Sequence, residues 1–282
     1  MKPACMLFVP LLLGTVAHAQ GWAPQRNVEI VVPVVPGGTN DKLARAIERT
    51  LTGSKLVNTP VTVVHRAGGG NQIAYPYVSQ HAGDPHYLLM GTTTLITAHA
   101  MGASKLSFSD FTPIASIFND YVVLTVNAAS PMKSGKDLKT VIFKGSAESL
   151  TALLGGHIEL VSTGATNAAG HMTAGKLRVL GVSSTQRLPG AMAVVPTWRE
   201  QGVELVYGSW RSVVGTKGLT PGQVAFWENT LRKVVESAEW KAELERNYWG
   251  DFFSTGAELR KIIDREYREM KGVLVELGLA KP

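Results

Sequence analysis

Thiol chemistry is what this chain lacks most completely. Its single cysteine, Cys5, lies ahead of the apolar run at residues 6–16. It is placed wrongly for a lipoprotein acceptor, which would end such a run. One cysteine makes no internal disulfide, and removal of that segment would leave no thiolate ligand or nucleophile. Long apolar runs are also missing, because residues 6–16 fall short of the ~20 residues needed to span a bilayer. Charge of one sign is only modestly in excess: 28 Lys and Arg against 22 Asp and Glu give a net charge of +6. That excess is either an ordinary mildly basic surface or a weak attraction for anions. It has none of the basic clusters of a nucleic-acid surface. His65, His157 and His171 show no metal-ligand spacing, so no chemistry is assigned to them. No Gly-x-Ser-x-Gly elbow, His-Glu-x-x-His helix, Walker sequence or Gly-x-Gly-x-x-Gly fingerprint occurs, so neither a hydrolase nor a dinucleotide-dependent oxidoreductase is supported. No cofactor, metal or catalytic residue is expected.

The amino-terminal residues read as a secretory signal. Met1-Lys2 supply a positive start, residues 6–16 the apolar run, and Ala17-His18-Ala19 a small-residue cleavage site. Cleavage is expected after Ala19, with the mature protein soluble and exported. Without disulfides it must rely on a sizeable core, which a chain of this length can provide.

Two glycine-rich turns carry the strongest signal, Pro36-Gly37-Gly38-Thr39-Asn40-Asp41 and Arg66-Ala67-Gly68-Gly69-Gly70-Asn71. Each follows an apolar β-type run, residues 28–35 and 61–65, and each leads into a helical stretch. Such turns aim bare backbone N–H groups and the positive end of a helix at a point beyond the strand ends, where open α/β sheets take up anions.

The β-branched run at 28–35 predicts a strand buried on both faces. A helix over 41–51 presents Leu43, Ala44, Ile47 and Leu51 on one side, with Thr39 or Asn40 as its cap. A strand at 61–65, a helix at 72–80 and a strand at 86–91 continue a β-α-β-α-β order, which argues for a parallel, helix-covered sheet. Residues 113–118 and 121–126 read as two β-like runs around Asn119-Asp120, where the chain crosses into a second domain. Helices are expected at 145–154 and 168–174, strands at 158–162 and 177–183, and a return crossing at 203–214. Farther on, Thr220-Pro221-Gly222-Gln223 reads as a capping box. Thr255-Gly256-Ala257-Glu258 repeats that logic ahead of an apolar stripe running from Leu259 to Leu277, a packing face.

These motifs, with His86-Tyr87-Leu88-Leu89-Met90-Gly91, Phe108-Ser109-Asp110-Phe111-Thr112-Pro113, Leu153-Leu154-Gly155-Gly156-His157 and Ala174-Gly175-Lys176-Leu177-Arg178, stand in one order along the chain. Together they resemble the substrate-binding proteins of tripartite tricarboxylate transporters, the Bug-type receptors. The resemblance implies an α/β periplasmic binding protein of type II-like form, with mostly parallel, helix-covered sheets and a ligand cleft between two domains. The signal would be residues 1–19, the first domain 20–118 plus 213–282, and the second 119–212. It implies capture of a small carboxylate or related anion for membrane transporter subunits, by a periplasmic monomer that spans no membrane and binds no nucleic acid. One departure stands out. The family has a strand, a turn and a helix between segments that are fused here near Val141-Ile142, so the second domain is expected to be shortened. A degenerate receptor kept as a sensing or interaction partner is the alternative, ahead of an exported α/β enzyme.

Carried over by motif, the ligand residues would be Gly37, Gly38, Thr39 and Asp41; Ala67, Gly68, Gly69 and Gly70; Thr92 and Thr93; Asn119 near the hinge; and Gly145, Ser146, Thr163 and Thr166 in the second domain. The same residues admit structural readings. The glycines suit tight turns. Asp41 suits a helix start, where a carboxylate favours the dipole and would repel an anion in direct contact. Thr92 and Thr93 are β-formers at a strand end. Lys144 reads as a solvated side chain and Trp210 as core rather than a wall of the cleft.

Overall fold

The computed structural model describes residues 21–131, 143 and 146–281. The expected signal peptide, Lys144, Gly145 and the junction at Val141-Ile142 lie outside these residues.

Strand β1 (Val28–Val32) is apolar at four of five positions, and Val28, Ile30, Val31 and Val32 are fully buried. Burial on both faces requires helices above and below. The chain turns through Gly37, whose φ of +92° suits glycine, into α1 (Thr39–Gly53). Leu43, Ala44, Ile47 and Leu51 form its inner face. The cap residue is Gly38, without a side-chain cap, rather than Thr39 or Asn40. Both of those already lie in the helix, and the Thr39 hydroxyl bonds Asp120 instead. Strand β2 (Val61–His65), α2 (Ala74–Ser79), β3 (Tyr87–Thr92) and α3 (Thr94–Ala100) complete the first run.

The chain continues as β4 (Phe111–Asn127), α4 (Ser146–Leu154), β5 (Leu160–Gly164), α5 (Ala165–Thr173), β6 (Leu177–Val182), β7 (Gly208–Thr216), α6 (Pro221–Glu236), α7 (Ala238–Asn247), β8 (Trp249–Thr255) and α8 (Gly256–Glu276). β4 is one continuous strand of 17 residues, where the sequence suggested two runs. α5 begins at Ala165, three residues before its expected start.

The fold is the expected mixed α/β sheet with helices, but among the described strands parallel ladders are confined to β2-β1-β3, with one isolated parallel bridge between Val182 and Thr197. The ladders of β7 with β3 and β4, and of β8, β5 and β6 with β4, are all antiparallel. The cause is β4. Among the described residues each strand beside it runs back along it. Its first half lies between β7 and β8, its second between β5 and β6. Asp120 pairs with Ser209 and Trp249, whereas Val122 pairs with Gly164. The exchange of partners falls between those two residues.

Among the described residues the buried apolar side chains fall into five clusters, two of which hold the most residues. The larger joins β1, α1, β3 and the first half of β4 to Trp227, Leu231 and Trp240 of α6 and α7. The smaller, around Val123, Ala165, Ala168, Val179, Val182 and Met192, is built mostly of small residues. The Thr220 capping box forms, with Pro221 in the first turn. The one expected at Thr255 does not: Thr255 is the last residue of β8 and makes no side-chain cap bond. Ile47 has 0% exposure in the larger core. Ile47→Ala should therefore cost about 2–5 kcal/mol, read as a lowered urea midpoint with an unchanged slope.

Candidate functional site

Because β1, β2 and β3 are adjacent and parallel, the turns that follow them meet at one edge of the sheet. In the first turn the Gly37 N–H donates to Asp41 Oδ2 at 2.9 Å. The other Asp41 oxygen accepts from Arg45 Nε at 3.0 Å and lies 2.9 Å from His65 Nε2 at the end of β2. Asp41 thus closes the turn and pins it to β2, the role of a helix-start carboxylate. Burial pushes its carboxyl up, but the Gly37 N–H, Arg45 and His65 outweigh that and hold it below the ordinary carboxylate range.

The second turn is more open. Gly68, Gly69 and Gly70 are exposed and have φ of +129°, +57° and +63°. A Cβ on Gly68 would fall 2.7 Å from Ile73 Cδ1. Ala67 joins this turn to β2. After β3, buried Thr92 accepts the Thr94 N–H on its hydroxyl at 3.2 Å, and Thr93 Oγ1 lies 3.3 Å from Ser209 Oγ.

Asn119, beside Asp120 on β4, pairs with Trp210 and Gly250. Of the remaining predicted residues, Thr163 is the next-to-last residue of β5, with its hydroxyl 3.3 Å from Asn167 Nδ2. Thr166 sits in the first turn of α5 and donates its hydroxyl to the Asn247 carbonyl at the end of α7. Ser146 starts α4, whose packing is against β5, α5 and β4. The geometry therefore brings the three turns together at one edge and sets the start of α5 against the same place. Ser146 is not joined to that group by any contact described. Trp210 is 1% exposed and donates its indole N–H to Glu266, which makes it core.

Sequence reasoning placed Asp120 near the hinge and passed over Arg211. Asp120 is 2% exposed. Its Oδ2 accepts from Thr39 Oγ1 at 3.2 Å and Arg211 Nη2 at 3.1 Å. Arg211 Nη1 donates to the Ser209 carbonyl at 2.8 Å and hydroxyl at 2.6 Å. Burial pushes the Asp120 carboxyl above the ordinary carboxylate range, outweighing the downward pull of Arg211, Thr39 and Lys42. A readable signal existed: one acidic and one basic residue, each set in an otherwise apolar crossing segment.

A separate cavity of about 350 Å³ lies beside the crossing, walled by Tyr121, Leu188, Tyr248 and Trp249, and contains none of the predicted residues. Among the described residues no group of three or more His, Cys, Asp or Glu could hold a metal, and no helix is long and apolar enough to cross a membrane.

Crossing strands, glycine turns at a parallel edge and a helix-covered sheet on one side define a periplasmic-binding-type α/β protein. Residues 132–279 match the tripartite tricarboxylate transporter family receptor, and the chain belongs to that family of solute-binding receptors. The Bordetella pertussis protein BugT is 24% identical over 299 residues, covering 90% of each chain. That span exceeds the 282 residues of this chain, so the relative has residues with no counterpart here. A ligand-free TctC solute-binding protein from Polaromonas is 26% identical, with a TM-score of 0.67 over 90% of this chain and 99% of that one. An R. palustris protein with adipate superposes with a TM-score of 0.82 at 22% identity, over 91% of this chain and 99% of that one.

Two outcomes follow. Asp41→Asn should lower stability by about 1.5–3 kcal/mol at neutral pH. Because the folded pKa is depressed, the stability Asp41 supplies is present above about pH 4 and fades as pH falls through the folded value. Acid titration of the variant, followed by circular dichroism, should accordingly show a shallower loss below pH 4. Separately, a Cβ on Gly164 would fall 2.5 Å from both Asp120 oxygens. Gly164→Ala should lower the thermal midpoint by an amount equivalent to about 1–3 kcal/mol, whereas Gly170→Ala, which meets nothing within 4 Å, should not.

Proposed function

We propose that this chain is an exported receptor that captures a small carboxylate-type ligand between two units and presents it to the membrane subunits of a tripartite tricarboxylate-type transporter. The units are residues 20–118 with 213–282, and residues 119–212, and the receptor acts as a monomer in the periplasm after cleavage at Ala19. The observation that carries this reading is the meeting of three turns at one sheet edge, one of them opening the 15-residue helix α1. Main-chain donors and a helix start favour a compact anion there. Adipate in the R. palustris relative supports the same ligand class.

Gly37, Gly38, Thr39, Ala67, Gly68, Gly69, Gly70, Thr92 and Thr93 form the first-unit wall, and Asp41 acts by holding its turn in shape. Asn119, Thr163 and Thr166 supply the facing side from the crossing and the second unit; Ser146 and Gly145 are assigned to the site by motif alone, Gly145 lying outside the described residues. Hydrogen bonds to a charged ligand contribute roughly 1.5–3 kcal/mol each. Micromolar affinity corresponds to about −8 kcal/mol, so a handful of such donors suffices. Closure over the ligand requires that the shut form interact with it better than the open one does.

The test is a thermal-shift screen of the mature protein against di- and tricarboxylates, acidic amino acids and aromatic acids. A ligand at 100 times its Kd adds about 2.7 kcal/mol, so a true ligand should raise the midpoint by roughly 5 °C or more. A flat response to the whole panel would remove the reading. One observation favours a second reading, a degenerate receptor kept as a sensing or interaction partner. The carboxylates of Asp41 and Asp120 already occupy groups at the start of α1. A flat panel together with ligand-independent capture of transporter subunits would select that reading.

A further inference from the structure

The receptor reading gives the Asp120 carboxylate no task, yet its surroundings are specific. It stands where β4 exchanges partners and is 2% exposed. Oδ2 is satisfied by Thr39 and Arg211. Oδ1 is buried with no hydrogen-bond partner among the described residues. The carboxylate lies flat against Gly164, the cap residue of α5, where a Cβ would come within 2.5 Å of either oxygen. The starts of α1 and α5 therefore flank one negative group, reached through Thr39 from one side and Gly164 from the other.

The cations nearby do not complete its coordination. Arg211 reaches it only through Nη2: Nη1 is committed to Ser209, and Nε, itself buried without a partner, makes no hydrogen bond to Oδ1. Lys42 directs its Nζ to Asn247 Oδ1, 3.4 Å away. A buried carboxyl oxygen without a donor is costly, and a group supplying one N–H would relieve that cost.

Building on the receptor reading, we propose that Asp120 sets the charge of the ligand: the chain takes a carboxylate that also bears an ammonium or amide nitrogen, and that nitrogen donates to Asp120 Oδ1. The ligand's carboxylate lies at the glycine turns. Thr39 bonds Asp120 from the first turn of α1, two residues beyond Gly37. The two ligand groups must consequently sit a few bonds apart, as in an amino acid. Opening of only the last pair of the β4–β5 ladder, Val122 with Gly164, uncovers Oδ1, and its re-formation brings Gly164 back over the bound nitrogen. A second carboxylate at the same place would meet Asp120 as a like charge and be rejected.

Calorimetry with acids matched in carbon skeleton tests this: aspartate against succinate, glutamate against glutarate, alanine against propionate. In the unaltered mature protein at least one amino acid should bind 10-fold or more tighter than its amine-free partner. Asp120→Asn should weaken that amino acid 10-fold or more and narrow the ratio towards one. Equal binding within each pair, or binding only of acids without nitrogen, overturns the assignment and leaves the receptor reading standing. Silence from these acids and from the wider panel overturns both. Should Asp120→Asn fold poorly, the ratios in the unaltered protein decide the matter.

Discussion

Two strands carry the chain between its sheets, and a buried ion pair ties them together where their neighbours change. Asp120 belongs to β4 and Arg211 to β7, and their side chains meet at 3.1 Å with 3% and 13% exposure. Removing one partner of such a pair strands the other charge in an apolar setting, at a cost of about 3–5 kcal/mol. The pair also fixes what surrounds it. Thr39 leaves its capping role to bond Asp120, Ser209 turns towards Arg211, and Gly164 is kept without a side chain by the carboxylate pressed against it. The start of α1, the end of β3 and the start of α5 are all positioned from this one contact.

Much of the first sheet was legible because its signals are local. The β-branched run of β1, the spacing of Leu43, Ile47 and Leu51, and the Thr220–Gln223 cap each depend on residues within a turn or two of one another. The glycine turns were legible for the same reason, since only a few conformations connect a buried strand to a helix so abruptly. The misreadings came from distant partners. Asn119-Asp120 resembled a break between strands because two polar residues interrupt an apolar run, but each is paired within the sheet. The Thr39 cap was lost to a residue 81 positions away. Arg211 and Asp120 are 91 apart in sequence, and nothing nearby in the chain shows that they meet.

The two cores differ in kind. The larger rests on tryptophan, phenylalanine and branched aliphatic side chains, with Phe118 stacked on Trp249 at 4.0 Å between ring centres. The smaller is mostly alanine and valine, and Leu150, Leu153, Val161 and Leu177 form a separate cluster where α4 meets β5 and β6. β5 and β6 flank β4 directly, so the short strands of this part lean on the crossing strand for their order.

The unbroken course of β4 limits how the halves can shift against each other. A loop hinge swings freely by rotating a few backbone bonds. A strand hydrogen-bonded along its length to β7, β8, β5 and β6 must twist or bow as a ribbon, and its ladders resist like a leaf spring. Large excursions would tear ladder bonds next to a buried ion pair. Small ones store elastic strain that drives the return. Recoil of this kind would make the resting posture of the molecule a property of its backbone rather than of whatever it holds.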